Sequence, residues 1–290
     1  MTEGAIDATD DVRRYYDSNT ARFERYGQGR GTGAIHRAVR GDGVRTQQEA
    51  FEYLDKLVLI ELLGIATAFP EPLHVLDLGC GVGASLCYLA ERAPVVGTGV
   101  TLSSVQVERA RRRIECTGLS DRVRCVEGDF TRLPSGVAPA HLAFSIEAFI
   151  HAEDPAAYFR TAAQHVVPGG RLVVCDDFAS ARTQSPLSAS EAGTLDDVRR
   201  HWLAHSLVTV AHAVELAERH AFTLVSDREL TSRLELARPR DRVIAALVAL
   251  GRRVRVGGYR FRSFVGGHAL QVALLTGLLE FRALVFRRGP

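Results

Sequence analysis

The run Val75-Leu-Asp-Leu-Gly-Cys-Gly-Val-Gly83 has the form of an apolar strand that ends in a glycine-rich turn and opens a helix at Ala84. Gly79, Gly81 and Gly83 let the backbone come close to a bound molecule, and the amides at a helix N-terminus suit a nucleoside-bearing ligand. By itself G-x-G-x-G could also hold a dinucleotide, although its spacing is not the G-x-G-x-x-G fingerprint. Glu147 and His151 stand four apart just beyond a predicted strand end. That spacing lets a carboxylate and an imidazole face one cleft, as general acid–base chemistry needs. The plainer readings are a Glu147 that contacts a cofactor or a backbone amide, and a His151 that caps the next helix. The arginines from Arg238 through Arg242, with Arg252, Arg253, Arg255, Arg260 and Arg262, form either a solvated face or a set of forks able to grip a diphosphate. Cys80, inside the turn, reads as a small spacer. No His, Cys and carboxylate set has metal-ligand spacing, so no metal is expected.

Positioning these groups is a matter of alternating elements. Asp10 to Tyr26 reads as a helix, followed by a loop with glycine at 27, 29, 31, 33, 41 and 43, a connector or lid. Thr46 to Ala68 is a second helix, with Phe51, Leu54, Leu57, Val58, Leu62 and Leu63 repeating at three and four. From Pro72 onward HVLDLG, PVVGTGV, RVRCVEGD, AHLAFSI and RLVVCDD read as strands, with helices opening near Ala84, Ser104 and Ala156. Strands joined by crossovers of that length imply a doubly wound parallel sheet. Beyond Phe178 a polar insertion leads to the helix-like LDDVRRHWLAHS, then a helix at AHAVELAERH, a strand at FTLVSDREL, the arginine-studded stretch Thr231 to Arg262, a buried helix from Ser263 and a terminal strand LLEFRALVFRR. The expected fold class is α/β, a Rossmann-like, mostly parallel seven-stranded sheet ending in an antiparallel pair, with N-terminal helices and a helical cap. Its expected parts are 1–70 as helical segment and lid, 71–178 as ligand-binding core, and 179–290 as the rest of the core with a cap at about 179–206 and 231–262.

Composition bounds the rest. The chain has 290 residues, 46% hydrophobic, with 36 basic against 34 acidic side chains. That supports one large core and excludes disordered, collagen-like and disulfide-framework classes. A formal charge of +2 is too small to predict nucleic acid or an anionic membrane as a bulk partner. Lys56 is the only lysine, which fits a GC-rich genome. Five cysteines without a C-x-x-C pair, and an acidic N-terminus lacking an apolar core, fit a reduced cytoplasmic protein. The uncharged stretch Ser263 to Leu279 is shorter than a membrane span needs.

Four motifs in order, DLGCGVG, Gly99-Val-Thr-Leu-Ser103 with Gln106, Glu127-Gly-Asp-Phe130 and HVVPGGRLVVCD, resemble the class I S-adenosylmethionine-dependent methyltransferases over roughly Leu73 to Phe178. The resemblance implies that Asp77 and the Gly79-Cys80-Gly81 backbone hold the methionyl part of that cofactor, that Thr101, Leu102 and Gln106 hold the ribose, and that Asp129 and Phe130 hold the adenine. Ser145 is counted with the cofactor contacts. Many relatives end the second strand in an acidic residue; Thr98-Gly99 here matches the G-x-T-L-S subgroup of sterol, tocopherol and cyclopropane-forming enzymes. Tyr15-Tyr-Asp through Tyr26-Gly, followed by His36, resembles the aromatic segment of sterol C-methyltransferases, and SIEAFIHAED resembles their loop after the fourth strand. Gln28 stands where that pattern has tryptophan, which argues against a sterol itself.

The resemblance implies methylation of an alkene carbon in a small, isoprenoid acceptor of specialised metabolism. Such an attack leaves a carbocation, so the site needs close positioning, little water and quadrupolar faces. Tyr15, Tyr16, Tyr26 and His36 are the expected acceptor contacts, with Glu147 or His151 as base. The rivals are O- or N-methylation of a polyketide, aromatic or sugar acceptor, with His151 as base, and a methyltransferase-like cyclase that transfers nothing. A dehydrogenase reading is the weakest, because no acidic ribose-binding residue follows the second strand in this chain and the G-x-T-L-S stretch has no role in it. A detached aromatic N-terminal helix offers a surface for a second subunit.

Overall fold

The computed structural model of the protein describes residues 7–26, 35–254 and 256–290. Seven strands, β1 (Leu73–Leu78), β2 (Val95–Thr101), β3 (Val123–Glu127), β4 (Ala140–Ile146), β5 (Val166–Ala179), β6 (Phe222–Glu229) and β7 (Leu279–Arg288), form one sheet in the order β3-β2-β1-β4-β5-β7-β6. The first five run parallel, and β7 lies antiparallel between β5 and β6. This is the expected mostly parallel, Rossmann-like sheet. The order reverses between β1 and β4, and in open α/β sheets such a switch leaves a crevice outside the strands' carboxyl ends. Pro168-Gly-Gly170, which precedes the strand read at RLVVCDD, is itself drawn into β5. There Gly169 has φ 81° and the register against β4 shifts between Ala140 and Leu142.

The helices are α1 (Ala8–Tyr26), α2 (Gln47–Ile65), α3 (Ala84–Arg92), α4 (Ser104–Cys116), α5 (Pro155–His165), α6 (Ala189–His201), α7 (Val210–Glu218), α8 (Pro239–Arg253) and α9 (Tyr259–Leu275). Their starts follow local chemistry. Thr46 and Glu49 make a capping box for α2, Ser188 and Glu191 one for α6, and Asp154 caps α5 ahead of Pro155. On one face of the sheet Leu54 and Leu62 of α2, Leu86 of α3 and Ile114 of α4 pack with Leu270 of α9 in a single apolar layer. On the other, Tyr158 and Phe159 of α5 and Leu216 of α7 pack with Phe149 and Phe286. The stretch from Ser263 does run as a buried helix, but α9 begins earlier, at Tyr259.

Helix α9 packs on α6 at Gly266, where a Cβ would lie 2.5 Å from the His201 carbonyl carbon, so only glycine allows that approach. α1 lies across the cap and the core together. Asp11 accepts from both Arg262 (2.9 and 3.0 Å) and Tyr259 (3.0 Å), and Ser103 donates to Asp17 (2.5 Å). The glycines at 27, 29, 31 and 33, read as a lid, lie outside the described residues. Among the described residues no helix is long and apolar enough to cross a membrane, and no group of His, Cys, Asp and Glu could hold a metal.

Candidate active site

A cavity of about 140 Å³ opens at the carboxyl ends of β1, β2 and β4. Its floor is the glycine turn after β1. Gly79, at φ 103°, has no room for a side chain, because a Cβ would sit 2.3 Å from that of Ala148. Asp77 ends on this wall, and burial pushes its carboxyl well above the usual range. Past β2, Thr101 donates to Gln106 (2.6 Å), and Ser103 caps α4 by accepting from the Gln106 amide (3.1 Å). Asp77, Gly79, Cys80, Gly81, Thr101, Leu102, Gln106, Phe130, Glu147, His151, Tyr16 and His36 all line this one cavity.

Three expected contacts lie elsewhere. Asp129 lines a neighbouring shallow cavity with Leu102 and Arg13, and its Oδ1 accepts from the amide and hydroxyl of Thr131 (both 2.7 Å). Ser145 is sealed beneath the floor against the Tyr158 hydroxyl at 2.7 Å. Tyr15 is buried against Val12, Phe23 and Trp202 on the side of α1 that faces the cap, with no partner for its hydroxyl among the described residues. Adjacent residues on a helix point about 100° apart, so Tyr16 can face the cavity only if Tyr15 faces away. Tyr26 ends α1, and its side chain lies outside the described residues.

Tyr16 donates its phenol proton to His151 Nε2 at 2.7 Å, while His151 Nδ1 donates to the Leu203 carbonyl at 3.0 Å. Burial pushes His151 down to about 4 and Tyr16 well above its ordinary value, so both are neutral near pH 7. The sign of the linkage follows. The unfolded chain takes up the His151 proton near pH 6.5 and the folded chain only near 4, so this contribution is complete above 6.5 and is lost as pH falls between them. At 1.36 kcal/mol per pH unit it amounts to roughly 3 kcal/mol. Urea unfolding of the wild type and of His151→Gln should show the difference between them closing from pH 7 to pH 4; a constant difference would contradict the depressed histidine.

Sequence reasoning did not find Arg37, which organises Glu147. The Arg37 amide and Nε donate to Glu147 Oε1 at 2.7 and 3.1 Å, and its Nη1 and Nη2 donate to Asp177 Oδ1 and Oδ2 at 3.1 and 2.7 Å. The guanidinium also lies 4.3 Å over the Phe281 ring. Burial works against the Arg37 charge, but Asp177 and Glu147 outweigh it and hold the guanidinium above its ordinary value. Glu147 itself sits at φ 52°, a left-handed conformation uncommon outside glycine. The only signals in sequence were the arginine beside His36 and the paired acids Asp176-Asp177 at a strand end. His36 Nε2 faces Asp55 Oδ1 at 3.9 Å, both buried, beside Ser85 of the glycine-turn helix.

A second, larger cavity of about 420 Å³ lies between the core and the cap. Ile35, Leu234, Leu236, Ile244, Phe264 and Leu270 make it largely apolar, and its charged groups are Arg22, Arg37 and Arg240 against Glu147, Glu235 and Asp241. The two cavities share Phe23, Ile35, Glu147 and Trp202 as a common wall. Of the arginines read as a diphosphate grip, Arg238 pairs with Glu235 and Asp241, Arg252 with Asp197 and Arg262 with Asp11. Arg255 lies outside the described residues.

A sheet with one antiparallel strand inserted beside its edge, a glycine turn at the switch point and a cap over it define the class I methyltransferase fold. Residues 75–170 match the family model described as a methyltransferase domain. A methyltransferase, GfsG, of Streptomyces halstedii is 32% identical over 173 residues, 57% of each chain. Cycloartenol-C-24-methyltransferase 1 of Oryza sativa subsp. japonica is 24% identical over 77% of this chain and 61% of that one. The chain thus covers less than two thirds of either relative. Among solved structures, geranyl diphosphate C-methyltransferase from Streptomyces coelicolor A3(2) superposes with TM-score 0.70 at 18% identity, over 98% of both chains. Residues 75–170 of this chain therefore match a methyltransferase domain, and the fold around them is that of the S-adenosylmethionine-dependent methyltransferases.

Proposed function

We propose that this protein is an S-adenosylmethionine-dependent methyltransferase that adds a methyl group to an alkene carbon of an uncharged, isoprenoid-like acceptor. The observation that carries the reading is the shared wall, where the cleft at the glycine turn meets an apolar cavity at Glu147 and Trp202. The cleft suits the cofactor. Asp77 is a buried carboxyl awaiting a cation, such as a methionyl ammonium, and the Gly79 cradle admits nothing larger than backbone. Bound there, the cofactor supplies an electrophilic methyl group.

The residues at the seam suit the cation such an attack leaves on the acceptor. Tyr16, Phe23 and Trp202 offer aromatic faces, and the Tyr16 oxygen, whose O–H is directed at His151, presents its lone pairs. Glu147 Oε1 is held by Arg37, which leaves Oε2 to remove the proton. A carbocation's neighbouring proton is acidic enough for a carboxylate to take. An alcohol is better served by a base near neutrality, and His151, pushed down to about 4 and already bonded to Tyr16, is poorly placed for that. An even balance of charge around the acceptor cavity favours an acceptor without a diphosphate.

The test is turnover with a cofactor carrying a ¹³C-labelled methyl group, offered to uncharged isoprenoid alkenes and to their hydroxylated counterparts. The expected product carries the label on carbon by NMR, with stoichiometric S-adenosylhomocysteine. A methoxy label would replace this reading by O-methylation, and product without S-adenosylhomocysteine would replace it by cyclisation. Binding of S-adenosylhomocysteine by calorimetry should weaken in Asp77→Asn and survive in Glu147→Ala.

A further inference from the structure

Helix α8 turns an apolar stripe outward. Val243, Leu247, Leu250 and Val254 recur at three and four residues and so lie on one line along the helix, and they are 60%, 50%, 58% and 63% exposed. With Val256 just beyond, they are five of the nine large hydrophobics exposed among the described residues, so the apolar surface is concentrated here. Asp241 and Val248 occupy the opposite, buried side of the helix. Arg242 and Arg253 flank the stripe, exposed, and neither pairs with a carboxylate among the described residues. Val243 and Leu247 also line the acceptor cavity, so the stripe continues into its mouth.

We propose that α8 is an interfacial docking helix that seats the mouth of the acceptor cavity on an anionic phospholipid surface. Overall charge hides this, because the chain's net +2 is nearly balanced while Arg238 to Arg253 holds five arginines and one aspartate. An apolar line bordered by arginines matches both layers of such a surface. The valines and leucines enter the acyl boundary and the guanidinium groups meet phosphates. A second copy of the chain is the poorer occupant, since an antiparallel two-fold contact through this helix would bring Arg242 of each copy towards Arg253 of the other. Delivery of an apolar acceptor from lipid into the cavity rests on the reading of that cavity given above; docking itself does not.

The test uses the full chain and sedimentation with vesicles of phosphatidylcholine alone or mixed with phosphatidylglycerol. Binding to the mixed vesicles is expected, weakening as salt shortens the Debye length. Leu250→Asp with Val254→Asp should lower the partition by about tenfold or more, and separately Arg242→Gln with Arg253→Gln should lower it by about thirtyfold, from about 1 kcal/mol for each of the two basic groups removed at such a surface. Affinity for S-adenosylhomocysteine and the unfolding midpoint should stay unchanged, because none of the four residues lines either cavity. Absence of vesicle binding, equal binding to both compositions, or self-association abolished by the aspartates without vesicle binding would each overturn the proposal. Loss of methyl transfer with docking intact would count against the activity alone.

Discussion

Glu147→Ala is expected to lower kcat by about 10²- to 10⁴-fold, the range a positioned general base contributes, with cofactor affinity nearly unchanged. Glu147 stands on the wall that divides the two cavities, so its loss touches the reacting end of both. Glu147→Gln separates two roles. The amide oxygen can still accept from the Arg37 backbone, so a purely structural Glu147 would leave the glutamine variant active. A base would leave it nearly as slow as alanine, or would divert the cation to products of trapping. Single-turnover kinetics with product analysis reads the difference, and wild-type turnover in both variants would remove the base role.

Arg37→Met is expected to cost about 3–5 kcal/mol of stability, because it strips one guanidinium from between the buried Asp177 carboxylate and the partly buried Glu147 carboxylate and leaves both uncompensated. In a chain of this size that should lower Tm by roughly 10 °C. Asp177, almost wholly buried, has only this cation to balance its charge among the described residues, and Glu147 would lose side-chain donation to Oε1. Arg37→Lys should rescue little, since an ammonium cannot reproduce the fork that spans Asp177 and reaches Glu147. Removing the charge on the other side, in Arg37→Met with Asp177→Asn, should return part of the lost stability. Additive losses in calorimetry would show that the pair is not coupled.

The glycine turn, the order of the strands and the starts of α2 to α5 were legible in sequence because each depends on neighbours within about ten residues. A strand that runs into Gly79-Cys-Gly81 must turn there whatever surrounds it, and Thr46, Ser103 and Asp154 cap their helices through amides only two or three residues on, whereas α6 opens at Ala189, ahead of the helix read at LDDVRRHWLAHS. Motif residues on such turns converge because the parallel sheet brings the ends of β1, β2 and β4 to one edge.

What the sequence by itself determined was therefore a methyltransferase-like sheet and the residues at its switch point. Tertiary structure decided which side chains face the chemistry. Periodicity shows that α1 has an apolar face, yet only its docking against Leu203 and Trp202 turns Tyr15 inward and leaves Tyr16 to meet His151. Arg37, Glu147 and Asp177 come from three distant segments, and nothing local to any of them marks the other two. The stretch that forms α8 reads in sequence only as an arginine-studded part of the cap; packing alone left its apolar stripe outside. Local backbone preference chooses the elements, whereas contacts between distant segments depend on how whole faces pack, and that is settled only when the chain is folded.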